Sequence, residues 1–512
     1  MLNPRLDAQT LPQPESRQTT RRHRVCHIAA TTEGATWMFE QLRDLRDKHG
    51  FDVAAVVSGE RGPLIDKLRS ENIPFHVANF DAGSGSARAI LRMPFAILEL
   101  ARILRRERFD VVQTHIFVSM VIGRPAAWLA DVPVRTAMIA GPFHLQAYTS
   151  RWMERLTCWM DTKIIPACEK SLQLLREMNI REKYLGPTIY YAPDERKFDP
   201  KEISAANIRA EFGWPQHTPL IGHVAYFYAR LSGGRWVPPE VQGRGGKGHG
   251  DLIRAAPAVL REFPNARFLL VGNGWGKAGE QYLQEVKDLV RTMDLQSNVV
   301  FLGFRADANR ILREVDVALQ PSLSECCGGS VEALLMECPM VATRVGGLVD
   351  TVRDGETGVL VRPSDPDDLA RGILEMLRDP EKARTLGRAG RRLMLERFTL
   401  SRTVKDLAEL YHGLISEAER RRAFYDPFVS ALRLLTGVPV FALVIFRLLF
   451  MDMFLPIYVA RIRAIPSRIF YLSAYRFYRL RALVWRFRPI VFRIPGTGFL
   501  RRVLSRLRSE SS

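Results

Sequence analysis

The chain alternates short apolar runs with longer stretches whose apolar positions recur at helical spacing. Val25–Ala30, Asp52–Val57, Phe75–Ala78, Val111–Gln113 and Val134–Ile139 are short runs rich in β-branched or apolar residues, so they predict buried strands. Thr36–Lys48, Pro63–Glu71, Ala87–Arg106 and Ser119–Ala130 lie between them and carry the helical period. The rhythm resumes after Gly186–Pro200, a break rich in proline and turn formers. Leu220–Ala225, Arg267–Val271, Val299–Phe301, Val317–Leu319, Met340–Thr343 and Gly358–Val361 predict strands. Gly250–Glu262, Glu280–Thr292, Ala306–Glu314, Ser330–Glu337 and Pro366–Leu377 predict helices. Strand–helix alternation packs as right-handed βαβ units on a parallel sheet. The expected fold is therefore α/β, with two tandem Rossmann-like doubly wound domains at 24–190 and 206–425, a linker at 191–205, and a ligand cleft between the carboxyl ends of the sheets. A helical region rich in Arg, Leu and Glu, from Pro380 to about Arg422, is expected to close the second domain.

Both ends depart from this pattern. Residues 1–23 are polar, hold Pro4, Pro12 and Pro14, and read as a disordered tail without a secretory signal. Near the other end, Val438–Phe446 and Leu448–Phe454 are almost wholly apolar, and arginines interleaved with aromatic residues follow. Gly437–Ala460 is long enough to cross a bilayer, but Arg447 and Asp452 inside it would each cost about 2.5–3.5 kcal/mol near the centre. A re-entrant or surface-lying arrangement is expected instead of a span.

Charge sharpens that reading. The 512 residues carry a net +19, yet Ala431–Ser512 alone holds 15 arginines against Asp452 and Glu510, a net +13 that leaves +6 for the first 430 residues. The excess marks a terminal segment suited to an anionic membrane surface. No nucleic-acid partner is expected, because contacts to RNA would not need the adjoining apolar run. Cys26, Cys158, Cys168, Cys326, Cys327 and Cys338 lack zinc spacing and read as thiols of a reducing compartment.

The most informative stretch is Pro321–Thr343, PSLSECCGGSVEALLMECPMVAT. A strand runs into a loop bearing Glu325, then Gly328 and Gly329, then a helix whose first turn carries Ser330 and Glu332. Glycines allow close backbone approach, and a helix start favours an anion such as a diphosphate. The competing reading is structural, with Ser330 as a helix cap and the carboxylates answering the helix dipole. No metal constellation is evident. Asp365-Pro366-Asp367 reads as a capped helix start, and His23 and His27 do not share a helical face. The glycine run Gly272–Gly276 is an unconvincing dinucleotide fingerprint.

These residues resemble the nucleotide-binding signature of family 4 glycosyltransferases, retaining enzymes of GT-B fold. IGHVAYFYARL and GGKGHGDLIRAAPAVLREFPNARFLLVGNG resemble that family's donor domain, and Phe301–Phe304 its base-contacting turn, which brings in Gly303 and Phe304. VATRVGGLVDTVRDGETGVLV, FDVVQTHIFVSMVIGRPAAWLADVPVRT and APDERKFDP extend the likeness over about Arg24 to Ile415.

The resemblance implies transfer of a sugar from a nucleoside-diphosphate donor, with retention, to a hydroxyl of a lipid-linked or membrane-proximal glycan at the cytoplasmic face of a membrane. No metal cofactor is implied, and the leaving phosphate helps to deprotonate the acceptor. Lys247 matches the lysine that neutralises the diphosphate. Arg230 is the candidate for its partner arginine, with Arg244 a competitor because Leu231–Gly246, which contains it, is inserted before Lys247. Glu332 matches the ribose-holding glutamate, and Glu325 the glutamate near the transferred sugar, one residue closer to Glu332 than is usual. Gly34 stands where several glycines are customary. Ala140-Gly141 replaces the customary His-Gly, and His115 and His144 are placed near the cleft. That replacement and the shortened spacing also suit an alternative, a catalytically silent GT-B scaffold of a membrane-bound glycan assembly.

Overall fold

A computed structural model describes residues 21–80 and 87–422, together with 442 and 446. Residues 1–20 of the expected tail lie outside the described residues, as does the basic segment 431–512 apart from those two positions.

The first sheet contains β1 (Arg24–Ala29), β2 (Asp52–Val57), β3 (Phe75–Val77), β4 (Val111–His115), β5 (Val134–Ile139) and β6 (Lys163–Pro166). Its order is β3-β2-β1-β4-β5-β6, parallel throughout. The connections carry α1 (Thr36–His49), α2 (Pro63–Ser70), α3 (Ala87–Glu107), α4 (Phe117–Leu129), α5 (Phe143–Gln146), α6 (Tyr148–Thr157) and α7 (Glu169–Glu177). β6 was not among the expected strands. Four residues, KIIP, are too few to show a period, and pairing with β5 makes them a strand.

After α8 (Ile208–Glu211), the second sheet contains β7 (Leu220–Val224), β8 (Arg267–Val271), β9 (Val299–Gly303), β10 (Val317–Gln320), β11 (Met340–Thr343) and β12 (Val359–Val361). Its order, β12-β11-β10-β7-β8-β9, repeats the topology of the first. Its connections carry α9 (His249–Leu260), α10 (Gly276–Thr292), α11 (Ala308–Leu312), α12 (Ser330–Leu335), α13 (Leu348–Thr351) and α14 (Pro366–Arg378), with α15 (Pro380–Arg397) and α16 (Leu400–Arg422) following. Strand order reverses between β1 and β4 and between β7 and β10. Crevices of this kind of sheet open at such points, beyond the carboxyl ends of the strands.

The two closing helices part company. Leu393 and Met394 of α15, with the following Phe398, join the second-domain core. Val404, Leu407, Tyr411 and Leu414 of α16 instead pack with Val25, Met38, Leu42 and Val53 of the first domain. The expectation that both helices close the second domain is therefore corrected: apolar periodicity shows that a helix needs a partner, not which sheet supplies it. The crossing runs beside the linker, where Leu400 N donates to Pro193 O at 3.1 Å and Thr403 Oγ1 to Tyr190 O at 2.8 Å.

Candidate functional site

Two loops meet beyond β7 and β10. After β7 the chain reaches Arg230, makes the 231–246 excursion and returns, with Arg230 bridged antiparallel to Gly245. Leu231 N donates to Arg244 O at 2.8 Å and Gly243 N to Leu231 O at 2.7 Å, so the excursion is pinched shut at its base. Gly248 adopts φ +73°, and a β-carbon there would overlap the carbonyl oxygen of Pro321. Leu323 N donates to Gly246 O at 2.9 Å. The glycine loop thus lies directly on Pro321–Cys326, and Lys247 emerges beside Glu325.

Lys247 Nζ and Glu325 Oε2 form an ion pair with side chains 22% and 11% exposed. Glu325 Oε2 also faces Gln320 Nε2 at 3.3 Å and Ser322 Oγ at 3.2 Å, and Oε1 accepts from Cys326 N at 3.2 Å. Burial by itself would discharge both groups. The opposite charge outweighs it, raising the Lys247 pKa and lowering that of Glu325. The Tyr228 ring lies 5.9 Å from Lys247 Nζ. Gly346 adopts φ +50° and packs so tightly on Glu325 that a β-carbon would overlap its carbonyl oxygen, while Gly347 N donates to that oxygen at 3.1 Å. The Gly-Gly turn fixes the Glu325 loop from behind.

Around this pair, Gly328 (φ +51°) abuts the Glu325 carboxyl and Gly329 packs near Gln320. Phe304 is 61% exposed beyond β9, its N–H donating to Asn273 Oδ1 at 3.0 Å, and Gly303 beneath it has φ +65°. Glu332, in the first turn of α12, is held at about 7 by burial and by Glu40 of α1, against the opposing charge of Lys197 in the linker.

Several expected site residues are placed differently. Ser330 is neither a cap nor an open donor contact: its hydroxyl is fully buried, donating to Cys327 O and paired with Thr351 Oγ1 at 2.9 Å. Arg230 is turned to Glu285 of α10 (2.5 Å) and Arg244 to Asp251 of α9 (2.9 Å), so each guanidinium is paired with a helix carboxylate. His115 is fully buried inside the first domain, where Nδ1 meets Tyr191 Oη at 2.7 Å and Nε2 meets His27 Nδ1 at 3.1 Å. His27 Nε2 then meets Tyr411 Oη at 3.0 Å, which donates to Gln113 Oε1 at 2.7 Å. His115 is thus a link in an internal chain that ties α16 and the linker to the sheet, not a cleft group. Burial pushes the His115 pKa well below its usual value and that of His27 down to about 3. His144 lies in α5 against Phe117, 5.2 Å between ring centroids, and Phe117 in turn faces Trp236 of the excursion at 6.3 Å. Its Nε2 is buried without a hydrogen-bond partner, and burial lowers its pKa to about 4. Gly34 (φ +62°) lies against Trp275 of the second domain.

Sequence reasoning missed Tyr228, Trp275, Gln320, Ser322, Glu40 and Lys197. The first four lie beside motifs already singled out, in YFYARL, GNGWG and QPSLSE. Glu40 and Lys197, themselves an ion pair, are far apart in sequence and only the closed fold brings them toward Glu332. Among the described residues no group of three His, Cys, Asp or Glu is arranged to hold a metal ion, and Asp365 caps α14 by accepting from Asp368 N.

Two family models match the chain, a glycosyl transferase 4-like domain over residues 33–185 and glycosyl transferases group 1 over residues 242–379. A 2-deoxystreptamine glucosyltransferase of Streptomyces kanamyceticus is 30% identical over 326 residues, 59% of this chain and 77% of that protein. The chain belongs to the family 4 glycosyltransferases. This glycosyltransferase is also 23% identical, over 398 residues, to a UDP-Gal:alpha-D-GlcNAc-diphosphoundecaprenol alpha-1,3-galactosyltransferase of Escherichia coli, with 73% of this chain and 92% of the relative covered. It spans only 42% and 54% of the length of two Bacillus relatives. Anabaena Alr3699/HepE, solved in complex with UDP and glucose, shares the GT-B fold at a TM-score of 0.61 and 22% identity, covering 77% of this chain and all of that one.

Proposed function

We propose that this glycosyltransferase moves a sugar from a nucleoside-diphosphate donor to a hydroxyl of a lipid-linked or membrane-proximal glycan, with retention of anomeric configuration. The observation that carries the reading is Lys247, presented by a glycine loop against Glu325 where strand order reverses in the second sheet. A lysine there supplies a fixed positive charge for the diphosphate leaving group. The sugar–phosphate bond breaks, the acceptor oxygen bonds to the same face of the sugar, and its proton passes to the departing phosphate. Glu332 holds the ribose, Phe304 borders the base, and Glu325 contacts the transferred sugar once Lys247 has turned to the diphosphate. Electrostatic stabilisation falls to Lys247 and neighbouring backbone N–H groups, with no metal cofactor.

The E. coli relative's lipid diphosphate supports a lipid-linked acceptor. The basic 431–512 segment supports attachment to the cytoplasmic face of a membrane; among the described residues no helix is long and apolar enough to cross one. A panel of UDP-, GDP- and ADP-sugars read by thermal shift tests the proposal, since a bound donor raises stability by mass action. One nucleotide class should raise Tm and be consumed on adding lipid-linked glycan. No shift with any of them would refute the donor assignment.

A further inference from the structure

Leu91, Phe95 and Leu98 stand on the solvent side of α3, 57%, 73% and 45% exposed. The other face of the helix is complete without them, because Ile90, Met93, Ile97, Leu100 and Leu104 are buried in the first domain. A helix apolar on two faces has a second apolar partner to satisfy. No other helix among the described residues exposes three large apolar side chains.

The same face is cationic farther along. At the pitch of an α-helix, Leu91, Phe95, Leu98, Arg102 and Arg105 fall within an arc of about 80°. Arg92 and Arg106 lie beside one edge of that arc, with Glu99 between them, and all four arginines are exposed. Arg105 also donates to Leu129 O at 2.6 Å, which holds its side chain along the α4 side of the arc. We infer that this face of α3 docks on the surface of an anionic lipid bilayer. Phe95 and the two leucines enter the acyl boundary while the arginines meet lipid phosphates.

Charge decides against a second copy of the chain. Cores of protein interfaces are depleted of charged residues, and two α3 faces brought together would set Arg102 and Arg105 against their equivalents with only Glu99 to answer them. A nucleic-acid backbone would match the arginines and leave the apolar stripe unused. The inference rests on the membrane-proximal acceptor proposed above and adds a second, separate attachment surface on the first domain.

The test uses the full chain with Phe95→Cys carrying an environment-sensitive fluorophore, mixed with vesicles of phosphatidylcholine alone or with added phosphatidylglycerol. Glu381→Cys on α15, 80% exposed, is the control, and the partly exposed Cys326 labels equally in both. Fluorescence at position 95 should rise with phosphatidylglycerol vesicles, stay flat with phosphatidylcholine alone, and stay flat at 381. The double variant Phe95→Glu, Leu98→Glu should lower the vesicle partition coefficient about tenfold or more while keeping its thermal shift with nucleoside diphosphate. A flat signal at 95 in protein that sediments with vesicles would overturn the inference, as would a vesicle-free rise that grows with protein concentration, the mark of a second copy. A missing diphosphate shift beside an intact signal at 95 would sink the glycosyl-transfer reading and still support this surface.

Discussion

Lys247 and Glu325 neutralise one another across a nearly buried contact, so a diphosphate has to take the lysine from a carboxylate. Two substitutions separate the roles. Lys247→Ala should lower kcat by roughly 10²–10³-fold, the usual cost of removing one preorganised charge partner, in protein that keeps its folded circular dichroism spectrum. Glu325→Gln should do the reverse for the nucleotide alone: nucleoside diphosphate without a sugar should bind about tenfold tighter by calorimetry, ~1.4 kcal/mol, while sugar transfer falls. Glu332 adds a pH dependence. Burial and Glu40 hold its carboxyl at about 7, so protonation on the acid side removes the acceptor for ribose hydroxyls. Nucleotide affinity should strengthen as pH rises through that value, and Glu332→Gln should flatten the profile.

At the scale of elements, α16 is the connection that makes two domains one unit. Its Tyr411 stands in a buried hydrogen-bonded cluster. Tyr191 Oη meets His115 Nδ1, His115 Nε2 lies 3.1 Å from His27 Nδ1 and 3.2 Å from Gln113 Nε2, His27 Nε2 meets Tyr411 Oη, and Tyr411 donates to Gln113 Oε1. Burial favours the neutral form of both histidines and pushes their pKa values down. Tyr411→Phe should cost about 1–3 kcal/mol in urea unfolding, the range for stranding buried polar partners. The link between α4 and α6 is stiffer. Arg124, 2% exposed, holds Glu154 at 2.8 Å and Asp161 at 2.7 Å. Arg124→Met would leave two buried carboxylates unanswered, and a loss of about 3–5 kcal/mol is expected by the same measurement. None of this shows in the sequence as a motif. Arg124, Glu154 and Asp161 are scattered over 38 positions of ordinary helical pattern, and only packing reveals that they share one site.

For the whole molecule, buried titratable groups set the response to acid. His27, His115, His144, His223 and His249 are all held below their usual value by burial. Each contributes stability that is complete above the unfolded value of 6.5 and is lost as pH falls toward the folded one. Asp161, Glu332 and Asp350, raised by burial, act in the opposite sense, favouring the fold as pH falls below about 7, 7 and 6. The buried histidines outnumber the buried carboxyls raised in this way, so the unfolded chain takes up more protons over this range and stability falls on acidification. Urea midpoints should therefore fall steadily between pH ~7 and ~5. Midpoints that stay level would mean that the histidines gain solvent or partners on protonation.

The sequence by itself determined the repeated strand–helix rhythm, the two sheets and the loops that carry Lys247, Glu325 and Glu332, because these depend on local periodicity and on motifs whose residues are near neighbours. It also identified the family, since several such motifs occur in order. Only the tertiary structure decided which sheet receives α16, that Arg230 and Arg244 turn to α10 and α9, and that His115 serves an internal chain and not the cleft. It alone brought Glu40 toward Glu332 and left Leu91, Phe95 and Leu98 of α3 exposed. The physical reason is common to all of these. A residue's type states what it must satisfy, an apolar face or a charge or a ring nitrogen, while the partner that satisfies it is fixed by packing between segments far apart in the chain.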